Sequence, residues 1–237
     1  MEISFTRLRV YLECPWKYKL QFLDGRRIPL TPASSLGLSL HRALEAFHRK
    51  DAGSLEDLLD CYDDRWLGSG YPDDETKERW YQKGQRILEG YHEREPDRRT
   101  EIVGVEREFV YPLGRHAVRG MIDRLDRHPD GRHEVIDYKT HLDFETEAQL
   151  ADDLQLRFYG LGVREALGVT PALLSVDYVA VGRRVSVPYD ASKEAALKAL
   201  IVKTADAIDA GAFEADTAYC PKCAYRETCP FSAAKDL

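Results

Sequence analysis

A chain of 237 residues is long enough for one well-buried domain, or for a core with a smaller helical lobe. An apolar share of 43% beside 32% charged residues excludes a disordered chain, and no apolar run approaches membrane-spanning length. The net charge of −7 excludes a protein that coats itself on nucleic acid through bulk charge. The start, Met1-Glu2-Ile3-Ser4-Phe5-Thr6-Arg7, has no signal-peptide core, so the expectation is a cytoplasmic protein with no membrane partner and reduced cysteines.

The first predicted element is a helix over residues 4–22, with Leu8, Tyr11 and Leu12 on one side and a break near Cys14 imposed by Pro15. Within the first thirty residues Arg7, Arg9, Lys17, Lys19, Arg26 and Arg27 stand against Glu2, Glu13 and Asp24. That local excess reads equally as a DNA-facing surface and as a solvated helix face. Residues 24–34 form a charged, proline-containing loop. Leu36, Leu40, Leu44 and Phe47 then follow the helical period over residues 35–50. Ser54 with Asp57 reads as a capping box for a helix carrying Leu55, Leu58, Leu59 and Tyr62, in which Cys61 is a small buried hydrophobe. A further helix over 74–94 follows the Gly70-Tyr71-Pro72 turn.

From Glu101 the pattern is β. Ile102, Val103, Val105, Phe109 and Val110 make one strand region; residues 118–125 and 134–140 make two more, joined as a hairpin by the Pro129-Asp130-Gly131 turn. Residues 146–167 return to helix with Leu150, Leu154, Phe158 and Leu161 as its stripe. Strands over 173–181 and 184–189 meet at Gly182-Arg183, and residues 192–210 are helical. This order predicts an α/β fold: a mixed sheet with helices on its faces.

Two sets of residues carry chemistry. The first is Cys14 with Cys220, Cys223 and Cys229: a C-x2-C pair with a third cysteine six residues on, and a fourth at the far end of the chain. Such spacing suits a metal centre that ties the two ends together, and four thiolates suit either structural zinc or an iron–sulfur cluster. The second is Gly120-Met121-Ile122-Asp123 followed by Asp137-Tyr138-Lys139. Asp123 and Asp137 on adjacent strands of a hairpin can converge on one divalent cation, which needs hard oxygen ligands. Asp137 and Lys139, two apart on a strand, point to the same face, so the ammonium can stand beside a water and a phosphate. Alone, an Asp-x-Lys tripeptide is most often a surface ion pair. Gln155 and Tyr159 are neighbours on one helix face.

In this order, with Gly37-Leu38-Ser39-Leu40-His41 upstream and Gln155-Leu156-Arg157-Phe158-Tyr159 downstream, the chain resembles the PD-(D/E)xK nuclease superfamily. More narrowly it is similar to the RecB-type branch with an iron–sulfur cluster, which includes AddB-like helicase-associated exonuclease domains and the nucleases of CRISPR adaptation. The resemblance runs from Ser4 to Cys229. It implies a restriction-endonuclease-like sheet core over 101–190, a helical N-terminal lobe over 1–100, and a helix and cysteine-rich tail over 191–237 stapled to Cys14, all within one nuclease domain. It implies metal ligation by His41, Asp123, Asp137 and the Tyr138 carbonyl, and catalytic roles for Asp123, Asp137, Lys139, Gln155 and Tyr159. The ion implied is Mg2+ or Mn2+, with imidazole ligation favouring Mn2+. Asp123 is preferred to Asp126, which then caps the strand end. Glu106 matches an acidic position of the family and reads equally as a solvent-facing strand charge. The cysteines, by the same resemblance, hold a structural [4Fe–4S] cluster.

The activity implied is hydrolysis of phosphodiester bonds in DNA, at single strands or ends, in repair and recombination or in CRISPR adaptation. No phosphate-binding loop of the G-x4-G-K-[ST] type occurs in the sequence, so unwinding would come from a helicase partner, or new spacers from an integrase partner. The alternative of a different class is a non-catalytic DNA-binding or scaffold subunit of such a complex.

Overall fold

The structure, a computed structural model, describes residues 1–50, 53–95 and 98–235. Its elements run β1 (Glu2–Ser4), α1 (Phe5–Glu13), α2 (Pro15–Tyr18), α3 (Pro32–Arg49), α4 (Leu55–Arg65), α5 (Asp74–Arg94), β2 (Glu101–Leu113), β3 (His116–Arg127), β4 (His133–Lys139), α6 (Glu147–Leu150), α7 (Leu154–Leu167), β5 (Leu173–Tyr178), β6 (Arg183–Pro188) and α8 (Glu194–Asp209). The strands form a six-stranded mixed sheet in the order β1-β3-β4-β5-β6, with β2 paired to β3. The chain divides into two compact units: Met1–Pro29, Val110–Gly120 and Ala191–Leu237 make one, Leu30–Phe109 and Met121–Asp190 the other. Among the described residues no helix is long and apolar enough to cross a membrane.

In the first unit, β1 runs parallel to β3 with Ile3 opposite Val118. Ser4 caps α1, its hydroxyl accepting the Arg7 N–H at 3.4 Å. The expected break falls at Cys14, whose extended backbone (φ −168°) both ends α1 and precedes Pro15 at the first position of α2. The chain continues into a π-helical turn over Lys19–Leu23. Leu8 and Tyr11 are buried as expected, but Leu12 is exposed, because α1 buries Phe5, Leu8, Val10 and Tyr11 and leaves Leu12 on the solvent side. Lys17 is buried rather than solvated: its ammonium lies 2.6 Å from Glu13 Oε2 and over the Tyr219 ring. Tyr11 Oη donates to the Ala212 carbonyl just beyond α8 at 2.5 Å.

The second unit holds the larger core. Pro32 at the first turn and the reciprocal Thr31–Ser34 capping box start α3 three residues earlier than periodicity alone implies. The Ser54–Asp57 box starts α4 as expected. Leu36, Leu40, Leu44 and Phe47 of α3 pack with Leu58, Cys61 and Tyr62 of α4 and Leu88 and Tyr91 of α5, over Ile136 and Tyr138 of β4 and Val179. Strands β3 and β4 form the expected antiparallel hairpin, with Gly131 at φ +83° in its turn. Strand β4 then pairs in parallel with β5, and β5 antiparallel with β6 across a turn whose Gly182 sits at φ +74°.

The single helix expected over 146–167 is two. Thr146 and Gln149 make a complete capping box for α6, and Asp153 caps α7 by accepting the Leu156 N–H at 2.7 Å. Two N-caps seven residues apart end the first helix after one turn, and apolar periodicity is blind to that. Helix α7 lies close to its neighbours at Gly162, where an added Cβ would come within 2.3 Å of the Phe109 ring. Gly162→Ala therefore overpacks this contact. We expect a loss of about 1–3 kcal/mol of stability, read as a lower urea midpoint at unchanged slope.

Candidate active site

Strand β4 is buried on both faces, and its alternation divides its side chains. Ile136 and Tyr138 face the core built by α3, α4 and α5, whereas Asp137 and Lys139 face α7. The β3–β4 ladder runs from Arg127–His133 to Arg124–Ile136, so Asp123 and Asp137 are the next residues in register. The two strands are tied there by a side chain: Asp123 Oδ2 accepts the Tyr138 N–H at 2.7 Å. Lys139 Nζ lies 2.7 Å from Asp137 Oδ2 and donates to Gln155 Oε1 at 2.7 Å. Gln155 Nε2 donates to Asp137 Oδ1 and to Tyr159 Oη, each at 3.1 Å. One amide thus fixes the carboxylate, the ammonium and the phenol together. Asp137 Oδ2 is buried and, despite the nearby ammonium, accepts no aligned hydrogen bond.

His41 of α3 closes the other side. Its Nδ1 lies 3.5 Å from Asp123 Oδ2, and its ring meets that of Tyr138 edge-on at 6.1 Å. Glu106 of β2 joins them: one ligand atom each from His41, Glu106 and Asp123 falls within 4.8 Å of the others. Glu106 is directed there by a backbone at φ +45°, a region that costs a residue with a side chain roughly 1–2 kcal/mol. The reading of Glu106 as a solvent-facing strand charge does not hold, since its carboxyl is half-buried against two other ligand-type side chains.

The electrostatics follow from this crowding. Burial, then the Asp123 charge, pushes the Asp137 carboxyl up to about 6 against the pull of Lys139. Burial, then Asp123 and Glu45, pushes Glu106 up to about 7. For His41 burial opposes the charged ring, but Asp123, Asp137 and Glu106 outweigh it and raise its pKa. Three acidic groups and an imidazole that repel, share protons and leave one carboxylate oxygen unsatisfied are a donor set that fits a divalent cation.

Asp126 does not cap the strand end. It is fully buried and holds Arg124, which donates from Nε at 2.6 Å and from Nη2 at 2.7 Å. Arg124 Nη1 also donates to Tyr91 Oη at 3.0 Å and Tyr138 Oη at 3.3 Å, and His48 Nε2 lies 2.7 Å from Tyr91 Oη. Burial and the Arg124 charge push His48 down to about 4, so its ring is neutral. This polar network grips Tyr138 from the face opposite Asp137 and Lys139. Its members are separated by up to 90 residues in sequence, and Asp123-Arg124-Leu125-Asp126 carries no local sign that its arginine is buried.

Cys14, Cys220, Cys223 and Cys229 line one cavity of the first unit, with Trp16, Lys17 and Leu20, and none is in a disulfide. Four thiols of this kind could hold either zinc or an iron–sulfur cluster. Cys61 lies apart, in the helical core of the second unit.

A buried strand thus carries Asp-x-Lys on one face, with a second aspartate and an imidazole close by. The chain matches the PD-(D/E)XK nuclease superfamily over residues 2–230, and it belongs to that superfamily. Among solved structures it is similar to one titled "Crystal structure of SSO0001", at 15% identity and a TM-score of 0.40, covering 91% of this chain and 94% of that one. No curated protein matches it.

The raised carboxyls set a pH dependence. In the unfolded chain they lose protons near pH 4; in the folded chain Asp137 does so at about 6 and Glu106 at about 7. Between those values the folded state binds more protons, so raising the pH destabilises it, and His41 contributes with the same sign. In chelator the melting temperature should fall from about pH 5 to about pH 8, and Mn2+ added at the upper pH should restore it. A flat profile would show that the three groups are not crowded as described.

Proposed function

We propose that this chain is a divalent-metal-dependent deoxyribonuclease of the RecB-type branch, acting as an exonuclease on single-stranded DNA or DNA ends. The observation that carries the reading is the convergence of His41, Glu106 and Asp123 beside the Asp137–Lys139 pair. Mg2+ or Mn2+ would be held by His41, Asp123, Asp137 and the Tyr138 carbonyl, with Glu106 as a further ligand. When bound, the ion would supply Lewis acidity toward a phosphodiester oxygen and lower the pKa of water. The remaining chemistry belongs to the chain. Lys139, kept in place by Gln155, presents its ammonium to the phosphate, orients the attacking water and offsets charge as it accumulates. Gln155 and Tyr159 hold the carboxylate and the ammonium at fixed separation, so little reorganisation accompanies the reaction. Asp123, through its bond to the Tyr138 N–H, locks the two catalytic strands at the point where their ladder ends.

The four free cysteines that line one cavity would hold a structural [4Fe–4S] cluster, as the resemblance to the RecB-type branch implies, joining Cys14 to Cys220, Cys223 and Cys229 in a reducing, cytoplasmic setting. A helicase or a CRISPR integrase is the partner that this reading implies, for DNA repair and recombination or for CRISPR adaptation.

Purified protein should cleave labelled single-stranded DNA with Mn2+ at least as well as with Mg2+, and chelation should abolish cleavage. Lys139→Met and Asp137→Asn should each reduce turnover by about 10²- to 10³-fold in protein that circular dichroism shows to be folded. Absence of cleavage by cluster-replete protein with either ion would overturn the enzymatic reading.

Anaerobically purified protein should be brown and carry iron and sulfide, and Cys14→Ser should lose both while Cys61→Ser keeps them. Stoichiometric zinc without iron would replace the cluster while leaving the staple; full iron retention in Cys14→Ser would remove the staple itself.

A further inference from the structure

Strand register lines up three side chains beside the candidate active site. Lys139 on β4 stands opposite Tyr178 on β5, and Tyr178 stands opposite Arg183 on β6. Cross-strand partners point to the same face, and neighbouring strands lie about 4.8 Å apart, so Arg183 is roughly 10 Å from Lys139 along that face. The chain leaving β4 folds back over this row. The rings of His141 and Phe144 meet Tyr178 edge-on, with centroids 5.6 and 6.4 Å away. The Arg183 guanidinium covers the Phe144 ring, 4.3 Å from its centroid.

Three properties of this surface have no role in the chemistry above. Phe144 is 43% exposed and Leu142 63% exposed, although both are large and apolar. The segment that carries them is anchored. Tyr178 Oη accepts the Glu145 N–H at 3.0 Å, Thr146 caps α6, and at Gly37 an added Cβ would lie 3.0 Å from Thr140 Oγ1, so α3 closes on the start of the segment. Arg183 has no ion pair among the described residues, so its charge is not spent on a carboxylate. An exposed ring stacked with an unpaired guanidinium offers a flat face to a nucleobase and a cation to the neighbouring phosphate.

We propose that Phe144 and Arg183, with Leu142 at the rim, form a stacking platform for an unpaired base of the strand whose phosphate lies at Lys139. The proposal rests on the nuclease reading and deepens it, because it makes the platform the source of selectivity for single-stranded DNA. In a duplex both faces of each base are covered by neighbours, so stacking on protein requires a base free of its partner. The platform lies where the strand leaves the catalytic lysine, and the same strand spans both.

The test is fluorescence anisotropy in chelator, with labelled oligothymidine and a duplex of equal length as probes. Phe144→Ala should weaken oligothymidine binding about tenfold and leave duplex binding unchanged, as the loss of one stacked base does. Phe144→Trp should retain the wild-type value, and Arg183→Ala should lower affinity for oligothymidine more than for the duplex. On wild-type protein, an abasic nucleotide scanned along the oligonucleotide should reproduce the loss at one position, and that position should be silent in Phe144→Ala. The abasic scan decides the matter even if an alanine variant melts early. Equal losses on both probes, or no position sensitive to base removal, would overturn the platform while wild-type cleavage kept the nuclease reading. Wild-type protein that binds neither probe would overturn both.

Discussion

The carboxylate of Asp137 is the constraint on which the site depends. It sits fully buried on a strand covered on both faces, with Asp123 next in register and Lys139 two residues on. Burying a charge is costly unless partners offset it, and here the partners are incomplete. One carboxylate oxygen accepts an amide hydrogen bond from Gln155, while the other has the ammonium nearby in poor alignment. Relief comes either from a proton, which the raised pKa values record, or from a cation. The fold thus stores at the end of β4 an electrostatic deficit that a proton relieves, and that a divalent ion at the proposed site would relieve in its place.

A deficit of that kind needs a rigid surround, because flexible carboxylates would turn to solvent. Rigidity comes from the opposite face of the same strand. Tyr138, between Asp137 and Lys139, has its phenol held by Tyr91 and Arg124, and Arg124 is neutralised by Asp126. Pulling any of these groups out would leave another buried and unpaired, so the network resists movement of β4 in either direction. Helix α7 applies the second clamp through Gln155. Its approach depends on Gly160 and Gly162, where no Cβ separates the helix from Leu174, Tyr189 and Phe109. Strain appears where the surround delivers a ligand: Glu106 reaches the cluster only through a positive φ.

The cysteine cavity belongs to a unit whose members come from both ends of the chain. Its apolar lining is thin: Leu20, Tyr225 and Cys229 form a small cluster with Trp16 and Cys223 packed against it. The proposed centre there would close a loop of some two hundred residues, and loop-closure entropy grows with the length enclosed. The buried Lys17, paired with Glu13, places a positive charge beside thiols that must be deprotonated to bind any metal.

Much of this was legible in the sequence because it is local. The stripe Leu36, Leu40, Leu44 and Phe47, the Ser54–Asp57 box, the break at Cys14 and the hairpin at Gly131 are each decided within a few residues, and each stands as the periodicity and caps imply. The spacing of Asp137 and Lys139 and of Gln155 and Tyr159 sets their faces for the same reason. What the sequence could not decide was which charges are buried. Asp126 reads as a cap at the strand end and is core, together with Arg124; Lys17 reads as part of a basic face, toward DNA or toward solvent, and is covered; Leu12 reads as core and is exposed. Nor could it decide that Glu106 turns inward, since one backbone angle does that, or that 146–167 breaks in two, since a cap outweighs an apolar stripe. Burial of a charge is a property of what packs against it from distant segments. The sequence by itself determined the elements and the chemistry available on each; only the tertiary structure decided which of those groups are deprived of water, and therefore which are poised to react.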